Sequence, residues 1–208
     1  MRIYQLKSYL LLWSTQALSA LGSGMTSYAL VLGLYLKNGS ALETALLAVC
    51  SYAVMSIFAG ALSDRWNKKL TMLVCDLLAA ASTVAVLALI RAGSLIAWHL
   101  YILNALNGLM NTIQQPASEV AATILIPKEY YQKTSGLRSF SQSLNSILTT
   151  ILATALFAFG GIDTVIAFDL VTFAIAFAVL LLLIKIPEDM GSKQARERLF
   201  DSAKQGLA

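Results

Sequence analysis

The 208-residue chain is 58% apolar and only 12% charged, with a mean hydropathy of +0.71, whereas soluble domains carry about 25% charged residues. Apolar runs of about 18 residues or more recur along its whole length, the extent needed to cross a hydrocarbon core of ~30 Å. This excludes an ordinary water-soluble enzyme and predicts an all-α, polytopic membrane protein; the net charge of +4 reads as an orientation signal before it suggests a nucleic-acid partner.

Six transmembrane helices are expected, over residues 9–36, 43–61, 70–90, 95–126, 135–159 and 164–186, forming one bundle (1–186) followed by a tail (187–208). Arg2 and Lys7 before Leu10, Leu11, Leu12 and Trp13 imitate a secretory leader, but the run is too long and further spans follow. This first span carries Gln16, Ser19, Ser23 and Thr26 at steps of three and four, one face of a helix. The second span is the shortest. In the third, 77–90 holds only Ser82 and Thr83 as polar side chains, so it is read as lipid-facing, and Asp76 lies ~9 Å from its cytoplasmic end at 1.5 Å per residue.

The fourth span is the longest, ~48 Å at helical rise, and Pro116 inside it predicts a kink. Asn104, Asn107, Asn111, Gln115 and Ser118 form its polar stripe, with Gly108 and Gln114 beside it. His99, near the outer end, reads as interfacial. The fifth span has a stripe of Arg138, Ser141, Asn145 and Thr149, and the sixth runs from Ala174 to Ile184 without a polar side chain and is read as lipid-facing. Polar side chains at membrane depth line a wet pathway or hydrogen-bond between helices as packing, and both readings stand. The expected substrate pathway is Gln16, Ser19, Ser23, Thr26, Asn104, Asn107, Asn111, Gln115 and Asn145.

Asp76, Glu119, Asp169 and Arg138 are the ionisable residues at membrane depth, each a functional hypothesis by position. Glu119, beside the fourth stripe, is the first candidate for a carboxylate that titrates during function and Asp76 the second; an ion pair of Glu119 with Arg138 is the competing reading. Neither Cys50 nor Cys75 has a C-x-x-C partner, and there is one histidine and no H-E-x-x-H or G-x-S-x-G. No metal, cofactor or enzymatic centre is therefore expected. Thirteen of the fifteen Lys and Arg residues fall on one side of the expected topology, only Lys37 and Arg91 on the other, which places both termini in the cytoplasm. In the tail, Leu199, Ala203 and Leu207 recur at spacing four, as in a surface amphipathic helix, though a solvated terminus explains the same residues.

Between the second and third spans the chain reads G-A-L-S-D-R-W-N-K-K from Gly60 to Lys69. This resembles the cytoplasmic loop signature of the major facilitator superfamily, G-x-L-x-D-R-x-G-[RK]-[RK], with Gly60, Leu62, Asp64, Arg65, Lys68 and Lys69 matching and Asn67 in place of a glycine. The segments 11–26, 114–118 (Q-Q-P-A-S), 137–143 (L-R-S-F-S-Q-S) and 166–173 (I-A-F-D-L-V-T-F) are similar to the macrolide and multidrug efflux branch. The resemblance implies the N-terminal six-span half of a twelve-helix transporter, in which solute binds between two halves near the midplane. It further implies efflux of small amphipathic solutes by alternating access, usually as an antiporter in the cell membrane. Gly60, Asp64, Arg65, Lys68 and Lys69 would form a cytoplasmic gate, with a C-terminal half or a second copy as partner. Where drug and proton antiporters of the superfamily carry an arginine in span four and a Gly-Pro in span five, this chain has Asn104 and Thr149-Thr150. A non-transporting truncated protein or an assembly partner of a transporter half is the other function class the sequence allows.

Overall fold

The computed structural model describes residues 2–42, 44–46, 67–126 and 130–184. Among these the chain is helical, with no strand, and four long helices dominate: α1 (Arg2–Asn38), α2 (Lys68–Arg91), α3 (Ala97–Leu125) and α4 (Tyr131–Leu182). The expected second span beyond its first few residues, the motif residues Gly60, Asp64 and Arg65, and the tail 187–208 lie outside the described residues.

Each boundary has a local cause. Asn67 starts α2: its backbone is extended and its side-chain oxygen accepts the Leu70 N–H at 3.2 Å, a cap that satisfies one of the orphan donors of the first turn. The residue that departs from the loop signature thus has a structural task. At the start of α3, His99 Nδ1 accepts the Ile96 N–H at 3.4 Å, so this histidine sits at a helix end. Pro116 lies inside α3, where it removes one backbone donor from the ladder. α4 is two helical limbs, 131–160 and 162–182, divided at Gly161, whose φ of 68° and ψ of −165° are accessible only without a Cβ. The limbs correspond to the fifth and sixth expected spans.

Packing fixes the directions of the helices. One core cluster joins Tyr9 and Leu12 at the start of α1, Met72 at the start of α2, Ala121 and Ile126 at the end of α3, and Leu180 and Ile184 at the end of α4. A second joins Leu34, Val86 and Leu100 with Ile166, that is, the ends of α1 and α2 with the beginnings of α3 and the second α4 limb. A third seams Leu21, Met25 and Ala29 to Ala153 and Val165. α1, α2 and the first α4 limb therefore run one way, and α3 and the second limb the other.

Leu6–Leu36, Lys68–Arg91 and Tyr131–Leu182 are long and apolar enough to cross a membrane. α3 has the length, about 44 Å at helical rise, but its Asn and Gln side chains lower its apolarity. Neither of the two spans read as lipid-facing is exposed all round: each has an exposed face and a buried one. In α2, Leu70, Val74, Leu77 and Val84 are exposed, whereas Thr71, Asp76, Ser82 and Thr83 are buried. In the second α4 limb, Val171, Ile175 and Leu182 point outward while Ala176 and Leu180 are buried. A run of apolar residues gives no periodic contrast, so its inward face is invisible in sequence.

Candidate functional site

Between the two end clusters lies a cavity of about 560 Å³ lined by α1, α2, α3 and both limbs of α4. Gln16, Ser19, Ser23, Thr26, Asn104, Asn107, Asn111, Gln115 and Asn145 all line it, together with Gln114, Ser118, Arg138 and Ser141. Steps of three and four residues put each set on one helix face, and packing turns those faces toward one another. Thr149, the last member of the fifth-span stripe, instead packs against Gly24: a Cβ there would stand 3.2 Å from its Oγ1. Some of the lining also bonds helices together. Ser82 Oγ donates to Asn107 Oδ1 at 2.8 Å, and Asn145 Nδ2 donates to the Ala17 carbonyl at 3.1 Å. Asn107 and Asn145 thus line the cavity and bond helices together at once.

Two buried carboxylates face the cavity. Asp76, 7% exposed, is held by two amides, Gln114 Nε2 at 2.5 Å on Oδ1 and Gln16 Nε2 at 3.3 Å on Oδ2. Asp169, 3% exposed, is surrounded by hydroxyls: Ser23 Oγ donates to Oδ1 at 3.0 Å and Thr83 Oγ1 to Oδ2 at 3.4 Å. Each carboxylate thus has fixed donors in place of water, the condition under which a buried anion is tolerated. α1 reaches Asp169 because of Gly22, where a Cβ would collide with Thr172 Oγ1 and stand 3.0 Å from the Asp169 Cα.

Glu119, the first-named titrating candidate, sits apart from this pair. Arg138 Nη2 donates to its Oε1 at 2.7 Å, with the two side chains 48% and 35% exposed. That is the ion-pair arrangement, at an exposure where such a pair contributes about 0–1 kcal/mol. Asp169 is the residue whose surroundings the sequence did not give. Its hydroxyl partners lie 146 and 86 residues away, and nothing within its own helix marks it beyond a charge amid apolar neighbours.

Of the loop motif, Lys68 and Lys69 are described. Lys68 opens α2. Lys69 Nζ donates to the carbonyl oxygens of Leu181 at 3.0 Å and Ile184 at 2.6 Å, so a motif cation closes the C-terminal end of α4, where orphan carbonyls and the helix dipole favour positive charge. At the opposite end, Arg91 and Asp163 form an exposed pair at 3.0 Å, tying α2 to the start of the second α4 limb. Among the described residues no group of His, Cys, Asp and Glu is arranged to hold a metal ion.

Apolar helices of membrane length around a cavity that carries polar stripes and two buried carboxylates define a helical membrane protein with polar groups in its interior. The sequence profile of the Major Facilitator Superfamily matches residues 12–206, and the chain belongs to that superfamily. It is 27% identical over 188 residues to the macrolide efflux protein A of Streptococcus pyogenes, covering 89% of this chain and 46% of that protein. To the macrolide efflux protein A of Enterococcus faecalis it is 28% identical over 147 residues, covering 71% and 45%. The chain thus spans about half the length of the curated relatives it matches. No solved structure matches it. Family and apolar helices together place the protein in a membrane.

Proposed function

We propose that this chain forms one wall of an efflux transporter: a six-helix bundle in the cell membrane with both termini cytoplasmic. It moves small amphipathic solutes, of the macrolide kind named for its relatives, by alternating access. The observation that carries this reading is the convergence of three polar stripes and two buried carboxylates on one 560 Å³ cavity; drug-sized sites commonly occupy about 300–1,000 Å³. The parallel course of α1 and α2 supports the six-span count, because the chain must return across the bundle between them and 43–61 is the apolar stretch available. Gln16, Ser19, Ser23, Thr26, Asn104, Asn107, Asn111, Gln115 and Asn145 are the proposed pathway. Gly60, Asp64, Arg65, Lys68 and Lys69 are the proposed cytoplasmic gate. Asp76 replaces Glu119 as the preferred titrating carboxylate, because it is the more buried and faces the cavity. The tail 187–208 is proposed as a cytoplasmic linker.

A cavity between two halves needs two walls, so a C-terminal half or a second copy completes the pathway. The second reading is an assembly or regulatory partner of a transporter half, one that does not transport by itself. Reconstitution in liposomes with a fluorescent lipophilic substrate, combined with crosslinking, tests both. Flux from species with two walls that falls in Asp64→Asn supports the transporter reading. Flux from an isolated six-helix monomer refutes the two-wall argument. No flux from any assembly favours the regulatory reading.

A further inference from the structure

The polar cavity continues beyond its stripes. Leu30 of α1 and Leu100 of α3 line it, and the same two side chains line a second space of about 380 Å³. This chamber lies where α1 ends, where α2 gives way to α3 and where the two limbs of α4 meet. Gly33, Leu34, Ile90, Ile96, Phe157 and Ile162 are among its walls, and every wall residue among the described ones is apolar or glycine. Protein interiors hold few voids larger than a water molecule, whereas an apolar cavity of about 150 Å³ stays dry and takes a benzene ring. At Gly33 the space is open, since a Cβ there would meet nothing within 4 Å. One helical turn deeper the character changes: Thr26 stands four residues from Leu30 and Asn104 four from Leu100, on the same helix faces, and both line the polar cavity.

We propose that this chamber receives the apolar end of an amphipathic solute whose polar end stays among the stripes, with Leu30 and Leu100 at the join. The choice of occupant rests on the efflux reading, which the chamber deepens by setting the apolar size of the solute. At six ring carbons in about 150 Å³, 380 Å³ takes roughly 15 carbons. That is one long chain or a fused ring system, and too little for both chains of a phospholipid. The chamber also opens into the polar cavity through its shared walls, so its occupant carries a polar group about one helical turn, ~5 Å, beyond the join. All the walls named belong to this chain, so the apolar end needs no second half in order to bind.

The test measures binding and needs no flux. The full chain in nanodiscs is photolabelled with 3-azioctanol, an eight-carbon alcohol carrying a diazirine, and the labelled residues are read by mass spectrometry. Labelling within 30–34, 95–100 and 157–162 that excess octanol suppresses is expected, because uptake by bulk lipid does not saturate. Straight-chain alcohols then compete with the label. In the parent chain their affinity rises about fourfold per methylene up to a limit of roughly 15 carbons. Gly33→Leu adds four carbons to the wall and lowers that limit by roughly as many. Tetradecanol then binds at least about tenfold more weakly than to the parent, while octanol still fits, binds both alike and shows that the variant is folded. Gly136→Leu, at a position equally open but outside the chamber, keeps the parental limit. Gly33→Ala, which lowers the limit by about one carbon, decides if Gly33→Leu does not fold. Absence of suppressible labelling in those segments overturns the proposal, as does an unchanged limit in the Gly33 variants. Co-purifying phospholipid that blocks the label until it is extracted assigns the chamber to a lipid chain and overturns it too. Each of these failures leaves the efflux reading to be decided separately, by flux in reconstitution.

Discussion

Gly22 and Gly33 lie in the same helix, so replacing each by alanine isolates what close packing alone requires. Alanine is better than glycine in a helix interior by about 0.8–1.0 kcal/mol, and that gain applies at both positions. At Gly33 an added Cβ meets nothing within 4 Å, so Gly33→Ala is expected to stabilise by roughly the propensity gain. At Gly22 the Cβ stands 3.0 Å from the Asp169 Cα and collides with Thr172 Oγ1. The Thr172 hydroxyl already donates to the Asp169 carbonyl at 2.9 Å, and the Cα belongs to a packed helix, so relief requires α1 and α4 to part. Overpacking of this kind costs about 1–3 kcal/mol, and Gly22→Ala should destabilise by up to about 2 kcal/mol once the propensity gain is subtracted. The propensity contribution cancels between the two variants, leaving a gap of about 1–3 kcal/mol. Thermal unfolding of both purified variants in the same detergent measures it, at about 2–4 °C per kcal/mol for a chain of this length. Equal stabilisation at the two positions would refute the close approach of α1 to Asp169 on which the cavity depends.

Three further outcomes are expected. With Cys50 and Cys75 replaced, single cysteines at Ser40 and Ser94 should react with an impermeant thiol reagent from outside and those at Asn67 and Ser192 only from inside; outside labelling at Asn67 would sink the proposed topology. Lys69→Met removes two bonds to the carbonyl end of α4 and should cost about 1–2 kcal/mol in detergent unfolding, the low end for charge-assisted bonds because the site is partly exposed; an unchanged midpoint would show that Lys69 does not hold that helix end. Arg91→Gln breaks an exposed pair and should cost less than about 1 kcal/mol, an effect that shrinks as salt is raised; a large salt-independent loss would contradict the exposed setting.

Helix identity and the polar stripes were legible in the sequence because both are local. Asn104, Asn107, Asn111 and Gln115 share a face by the pitch of the helix alone, whatever surrounds it, and the break between the two limbs of α4 was marked by apolar runs meeting at Gly160-Gly161. The membrane setting followed from composition, and the loop motif carried the family resemblance. Tertiary structure decided which faces meet. The sequence read 77–90 of α2 as lipid-facing, yet Ser82 and Thr83 are buried, because two polar residues in an apolar run leave its rotation undetermined until neighbours pack. It put first among the titrating candidates Glu119, which ion-pairs with Arg138 at the exposed rim, and named Asp169 by its depth in the membrane alone. The surroundings of Asp169 are assembled from α1 and α2, and the backbone approach at Gly22 that brings α1 beside it is a property of two helices together, which no single helix carries in its own sequence.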